Sequence, residues 1–224
     1  EVFLALWIVL FALLGLYLLN IIHFPHDDAE ERKTTVPRFF LAVASLAFSI
    51  YMIPGLWGAP CKAVSAFAPP MWTQDFNLNK NVVHPVSYDY EEGMRIAREQ
   101  NKPVILDFTG HGCVNCREME SRVWSDPKVL EMLKNDYIVV ALYTDDKQKL
   151  DKEDYVTDAE TGKVYKDLGR ANSYIARTKW NVNAQPNYVL LTPEGEMLAP
   201  VRGYDLSIEG FVSFLQNGLD AYGK

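Results

Sequence analysis

The chain has 224 residues, 22 of them Lys or Arg and 29 Asp or Glu, giving a net charge of -7. That length allows one domain of ordinary size with further segments attached. The acidic balance, with no basic stripe to neutralise phosphates, argues against nucleic acid as a partner and reads as a solubility feature.

Residues 2–22 carry no charge, and residues 39–61 form a second uncharged, mostly apolar stretch. Each is long enough to cross a hydrocarbon core of roughly 30 Å, which takes about 20 helical residues. Two membrane helices, at about 2–22 and 39–57, are therefore expected within a segment 1–61. A signal peptide fits the first stretch poorly, because no basic segment precedes it and the apolar run is too long. Two buried helices of a soluble protein remain the alternative. The chain opens on Glu1 and not on Met, so it is expected to be a piece of a longer protein. The intervening loop holds Arg32, Lys33 and Arg38, whereas the outer ends carry only Glu1 and Lys62. The positive-inside rule then puts the loop in the cytoplasm and everything after Cys61 on the far side. That compartment is expected to be an oxidising one, such as a bacterial periplasm.

Residues 62–86 read as a linker, interrupted by Pro69, Pro70 and Pro85 and made polar by Asn77, Asn79, Lys80 and Asn81. Trp57 and Trp72 suit the headgroup level of a membrane, although Trp72 could equally pack on the domain that follows. From residue 87 onward helix and strand patterns alternate. A helix is expected over 88–100 with Ser87 as its N-cap, a buried strand over 104–108, and a helix over 113–124. Asp126 and Pro127 start another helix to about 135, and 137–143 is a second β-branched strand. Residues 144–169, rich in Asp and Lys, read as a solvated insertion with a short hairpin from 155–157 and 163–165. A helix over 170–180 follows. Strands over 188–191 and 197–201 are joined by Pro193-Glu194-Gly195-Glu196. Residues 207–222 close the chain as an amphipathic helix with Ile208, Phe211, Phe214 and Leu215 on one face. This order predicts an α/β, thioredoxin-like fold over 87–224, a central mixed sheet flanked by helices, preceded by the two membrane helices.

The chemistry sits where the strand meets the helix, in the run V-I-L-D-F-T-G-H-G-C-V-N-C. A C-x-x-C pair after a buried strand and at the start of a helix is the setting of a redox dithiol. A helix N-terminus favours thiolate over thiol. Cys113 is expected at the exposed tip as nucleophile, with Cys116 one turn on as the resolving thiol. A permanent disulfide closing so short a loop would stabilise little. Zinc is the chemical rival, but a structural site wants four ligands and His111 is the one histidine near the pair. Asp107, six residues before Cys113, could accept the Cys116 proton. Glu120 shares the helix face of the cysteines, with an exposed helix acid as the plainer reading. Two acids here would oppose thiolate formation on Cys113. Gln185-Pro186 precedes a strand, and X-Pro bonds are where cis peptides occur. His111 either borders the site or is a solvent-facing turn residue. Cys61 reads as a small buried residue.

The segment from Asp107 through Cys113, Val114, Asn115 and Cys116 to Arg117 and Glu120 resembles the C-terminal periplasmic domain of the DsbD family of thiol:disulfide interchange proteins. Membrane helices just ahead of such a domain also match that family. The resemblance implies a buried acid at Asp107, a cis Pro186, and a Gln185 backbone that pairs with an incoming peptide strand. It further implies a reductase of the bacterial inner membrane whose dithiol lies in the periplasm and whose redox group is the Cys113–Cys116 disulfide, with no other cofactor and no metal. Electrons would come from the rest of the same membrane reductase and pass to periplasmic disulfide proteins, including the cytochrome c maturation pathway. Two features depart from the pattern: Gly112 stands where thioredoxin-like domains usually have Trp, and the insertion after Tyr143 is long. A membrane-tethered thiol oxidase and a non-enzymatic tethered binding module are the alternative functions.

Overall fold

The computed structural model describes residues 2–25, 27, 34–57, 61, 63–64 and 82–223. Arg32, Lys33, Lys62, Trp72 and most of the expected linker lie outside the described residues. The chain divides into two compact units, Glu1–Lys80 and Asn81–Lys224.

The first unit is an antiparallel pair of apolar helices. Helix α1 spans Val2–Leu18, shorter than the uncharged run, because Asn20 adopts a left-handed conformation (φ 57°) and turns the chain. Helix α2, Val36–Met52, starts earlier than expected, with Thr35 as N-cap and Pro37 in the first turn, where a missing N–H costs nothing. It continues as a 3₁₀ segment, Ile53–Trp57, and the 22 residues from Val36 to Trp57 are long and apolar enough to cross a membrane by length and composition. At 17 residues, α1 is shorter. Small residues let the two helices approach: a Cβ on Gly15 would come within 2.5 Å of the Leu46 side chain. Ser45 and Ser49 donate hydrogen bonds to the Phe11 and Ile8 carbonyls of α1, at 2.7 and 2.8 Å. Cys61 is buried with Leu4, Met52 and Val64.

The second unit is built on a four-stranded sheet in the order β2-β1-β5-β6. Strand β1 (Val104–Thr109) pairs parallel with β2 (Ile138–Tyr143) and antiparallel with β5 (Asn187–Leu191), which pairs antiparallel with β6 (Arg202–Gly203). Every residue of β1 and β2 is buried, as a strand covered on both faces requires. Side chains alternate between the faces. Val104, Leu106 and Phe108 pack toward α3 (Tyr90–Gln100) and α6 (Leu168–Trp180). Ile105 packs with Met119, Val123, Leu133 and Phe211 on the other face, beneath α4 (Val114–Met119), α5 (Pro127–Asn135) and α7 (Ile208–Tyr222). Asp107 shares the parity of Ile105, so β1 aims its carboxylate at α4.

Several expected boundaries shift for identifiable reasons. Asp89, not Ser87, caps α3, accepting from the Glu92 N–H at 2.8 Å, while Ser87 bridges to Val140 beside β2. The expected strand over 197–201 is reduced to a single bridge, Leu191 to Met197; Pro200 cannot donate to a ladder, and pairing resumes only at β6. Within the insertion, Val156–Thr157 (β3) and Val164–Tyr165 (β4) form the expected hairpin. Asp167 caps α6, which begins two residues before the expected start. On α7, Phe211, Phe214 and Leu215 are buried, but Ile208, in its first turn, is exposed.

Gly218 on α7 offers a direct packing test. A Cβ there would lie 2.5 Å from both Leu190 Cδ1 and Tyr137 Oη, and that hydroxyl donates to the Leu215 carbonyl at 2.6 Å. Alanine gains about 1 kcal/mol of helix propensity, but overpacking a filled core costs about 1–3 kcal/mol. Gly218→Ala is therefore expected to lower the melting temperature by a few degrees, read by near-ultraviolet circular dichroism.

Candidate active site

The buried strand β1 ends at Thr109, and Gly110, His111 and Gly112 turn the chain into α4. A Cβ on Gly110 would meet the Gln185 amide at 2.6 Å and Asp145 Oδ2 at 2.9 Å, so a side chain there would displace both of those groups. Cys113 is the N-cap of α4, and its Sγ accepts a hydrogen bond from the Cys116 N–H at 3.1 Å. The two cysteines form a disulfide, with Cα atoms 5.3 Å apart. Cys113 is not the exposed tip expected from its position: it is 6% accessible and Cys116 1%. Capping draws Sγ113 back over the first helical turn, toward Cys116. The ranking nonetheless favours Cys113 for attack from outside, and a Cβ on Gly112 would meet nothing nearer than Asp145 Oδ2 at 4.0 Å, leaving that flank open.

Between β1 and the active-site helix lies a buried charged trio. Helix α4 passes into a π-helical turn, Glu120–Trp124. Glu120 is buried and not an exposed helix acid; its Oε2 accepts from Arg117 Nη1 at 2.8 Å. The same guanidinium donates to Thr109 Oγ1 and to the Gly110 carbonyl, at 3.2 and 3.3 Å, pinning the turn from below. Asp107 is buried on the adjacent strand, and its Oδ1 finds no hydrogen-bond partner among the described residues. Burial pushes the Asp107 carboxyl up to about 7, against the opposing pull of Arg117. Burial likewise pushes Glu120 up to about 8, with Arg117 acting against it and Asp107 adding to it. Spacing placed both acids near the dithiol but said nothing of Arg117 as their shared counter-ion. The i,i+3 relation of Arg117 and Glu120 was the available signal.

The Gln185–Pro186 peptide is cis, and Pro186 is buried at the entry to β5. The Gln185 side chain lies against Thr144, whose hydroxyl donates to Oε1 at 2.5 Å. Beside this loop a cleft of about 400 Å³ is lined by Thr144, Ser173, Arg177, Asn183 and Gln185, among others. His111 is exposed, stacked on Tyr143 with ring centroids 4.1 Å apart and Nε2 3.2 Å from Asp146 Oδ2. Its partners come from the end of β2 and the start of the insertion, whose composition predicts only solvated surface. Cys61 belongs to the other unit.

The sequence model of the thioredoxin-like domain family matches residues 90–218, more than half of the chain. The chain belongs to that family. Within it, the site is that of a thiol:disulfide oxidoreductase: a C-x-x-C disulfide at the start of a helix, a buried acid below and a cis-proline loop. This thioredoxin-like chain is related to DsbD. It is 28% identical over 100 residues to the thiol:disulfide interchange protein DsbD of Campylobacter jejuni (strain RM1221), covering 42% of this chain and 16% of that protein. To DsbD of Salmonella typhi it is 33% identical over 79 residues, covering 35% of this chain and 13% of the relative. The matched stretch thus spans less than a fifth of either relative. Two solved structures are similar in fold. A DsbH oxidoreductase has a TM-score of 0.46 at 18% identity, covering 62% of this chain and 88% of that one. A thioredoxin from Thermus thermophilus has a TM-score of 0.45 at 22% identity, covering 63% and 92%.

Proposed function

We propose that this chain is the membrane-anchored, electron-delivering end of a DsbD-like reductase, passing electrons from its dithiol to extracytoplasmic disulfide proteins. The observation that carries the direction is the pair of buried carboxyls under the disulfide. A strong oxidant of this class owes its potential to a stabilised reduced form. As pH climbs toward 7 and 8, Asp107 and Glu120 ionise around the single cation Arg117, and the negative charge they then add disfavours a Cys113 thiolate and leaves the disulfide form relatively favoured. A dithiol in that setting readily gives up its electrons.

In the reaction, the Cys113 thiolate attacks one sulfur of the partner disulfide, forming a mixed disulfide and releasing the partner's first thiolate, which takes a proton. Asp107 accepts the proton of Cys116, whose thiolate attacks Sγ113. The Cys113–Cys116 bond forms, the partner's second thiolate leaves, and it is protonated in turn. Two electrons pass to the partner, and the protein's own sulfurs are the redox group, with no further cofactor. Pro186 and the main chain of Gln185 present an edge to the incoming strand, and His111 borders the entry.

The anchoring reading rests on α2 with its 3₁₀ continuation, on the apolar α1, and on the basic residues Arg32 and Lys33 between them with Arg38 in the first turn of α2. It places the dithiol in the periplasm of a bacterial inner membrane, fed by the remainder of the same reductase, with cytochrome c maturation among the pathways served. The test is the redox equilibrium of the whole chain in detergent against glutathione, with alkylation and mass analysis to locate free thiols. A potential near that of thioredoxin, about -270 mV, is expected. A value near -120 mV would make the chain an oxidase, and cysteines that never cycle would leave a tethered binding module.

A further inference from the structure

The first residues of the insertion reach back to the active-site turn. Asp145 is the second residue after β2, next to Thr144, and is exposed. Its Oδ1 accepts from the His111 N–H at 2.8 Å and its Oδ2 from the Gly112 N–H at 3.1 Å. Those are the two amides immediately ahead of Cys113, in a turn that Arg117 holds from its other side through the Gly110 carbonyl. Thr144 completes the arrangement. Its N–H donates to the Thr109 carbonyl at 2.9 Å, and its hydroxyl joins Gln185. The turn carrying Cys113, the end of β2 and the loop carrying cis Pro186 are thereby tied at one point.

We propose that Asp145 is a positioning residue of the dithiol: its carboxylate, bridging the His111 and Gly112 amides, holds the turn that delivers Cys113, while the adjoining Thr144 ties that turn to the cis-proline loop. The inference rests on Cys113–Cys116 being the redox centre and is independent of the direction of electron flow. Charge-assisted bonds from a carboxylate to two successive N–H groups fix both the height and the direction of a turn, as a capping box does for a helix end. An attacking sulfur displaced by even a fraction of an ångström loses the in-line geometry that exchange needs. Around the same turn, Arg117, Asp107 and Glu120 act from below, while His111 and Asp146 lie at the rim. Asp145 alone joins both amides among the described residues.

The test compares wild type, Asp145→Ala and Asp145→Asn in the whole chain, reduced and held in detergent. Exchange is measured with oxidised glutathione, and the rate of Cys113 alkylation is followed from pH 5 to 10. Asp145→Ala is expected to slow exchange roughly tenfold, the scale of a lost hydrogen bond to a charged group. Asp145→Asn keeps an acceptor oxygen for one amide, so its exchange is expected to stay within about threefold of wild type. Both variants lose a negative charge, so both are expected to shift the alkylation midpoint to lower pH. Wild-type exchange and midpoint in Asp145→Ala would overturn the proposal. An Asp145→Asn that slows as much as Asp145→Ala would also overturn it, because charge and not the held turn would then set the rate. A wild-type chain unable to exchange would count against the redox reading instead, and a midpoint common to all three chains would then overturn the role of Asp145.

Discussion

Replacing Cys113 with Ser is expected to cut disulfide exchange by at least about a thousandfold, because the thiolate is the nucleophile and a serine hydroxyl does not ionise near neutrality. Cys116→Ser is expected to fail differently. Attack by Cys113 remains possible, but the mixed disulfide has no internal thiol to resolve it and accumulates. On non-reducing gels, Cys116→Ser should therefore show a covalent adduct with a model disulfide substrate that dithiothreitol removes, and Cys113→Ser should show none. The asymmetry follows from accessibility, 6% for Cys113 against 1% for Cys116, and from the capping geometry that turns Sγ113 toward the Cys116 N–H. Adduct formation by Cys113→Ser at the wild-type rate would sink this assignment. It would implicate one of the two thiols left, Cys116 itself or Cys61, which the structure buries among Leu4, Met52 and Val64 in the other unit.

The fold was legible wherever local chemistry and periodicity agreed. The β-branched runs before Gly110 and Thr144, the Asp126-Pro127 helix start and the Thr192–Glu196 turn each carry their geometry in a few adjacent residues. What escaped depended on partners distant in sequence. Glu120 reads as an exposed helix acid from its own neighbours, and only the passage of α4 beneath β1 buries it against Arg117. Cys113 reads as a tip from its position, yet the cap hydrogen bond and surrounding turn cover it. Thr144 and Asp145 lie 34 or more residues from the amides and side chains they hold, except for the Asp145–Gly112 pair at 33, and sit in a stretch whose composition suggests only solvated surface. In the apolar unit, composition extends the first helix to residue 22, but the left-handed Asn20 stops it sooner. A single backbone conformation outweighs a continuous hydrophobic run.

The buried acids give the second large expectation, a stability that falls as pH rises. Asp107 ordinarily titrates near 3.8, and burial raises it to about 7 in the folded chain; Glu120 moves from 4.5 to about 8. In each case the folded state keeps a proton that the unfolded chain has already released. Stability is then full below the unfolded value and is lost as pH climbs through the folded one. The windows are 3.8 to about 7 for Asp107 and 4.5 to about 8 for Glu120, and within its window each group contributes a slope of about 1.4 kcal/mol per pH unit. Asp107→Asn isolates one of them, since Asp107 makes no direct ion pair among the described residues, whereas Glu120→Gln would also alter the buried contact with Arg117. Urea unfolding of the oxidised chain between pH 4.5 and 8 should show Asp107→Asn with a flatter pH dependence than wild type and a stability advantage on the order of a few kcal/mol at pH 8. Parallel slopes for the two chains would mean that Asp107 titrates as an ordinary carboxyl, too weak a base to be well matched to the Cys116 proton. The same substitution should split the chemistry: easier ionisation of Cys113 with one negative charge gone, and slower resolution of the mixed disulfide with no base beneath Cys116. A carboxyl poised near neutrality destabilises the fold at physiological pH, and the chain retains it where a proton must leave a buried thiol.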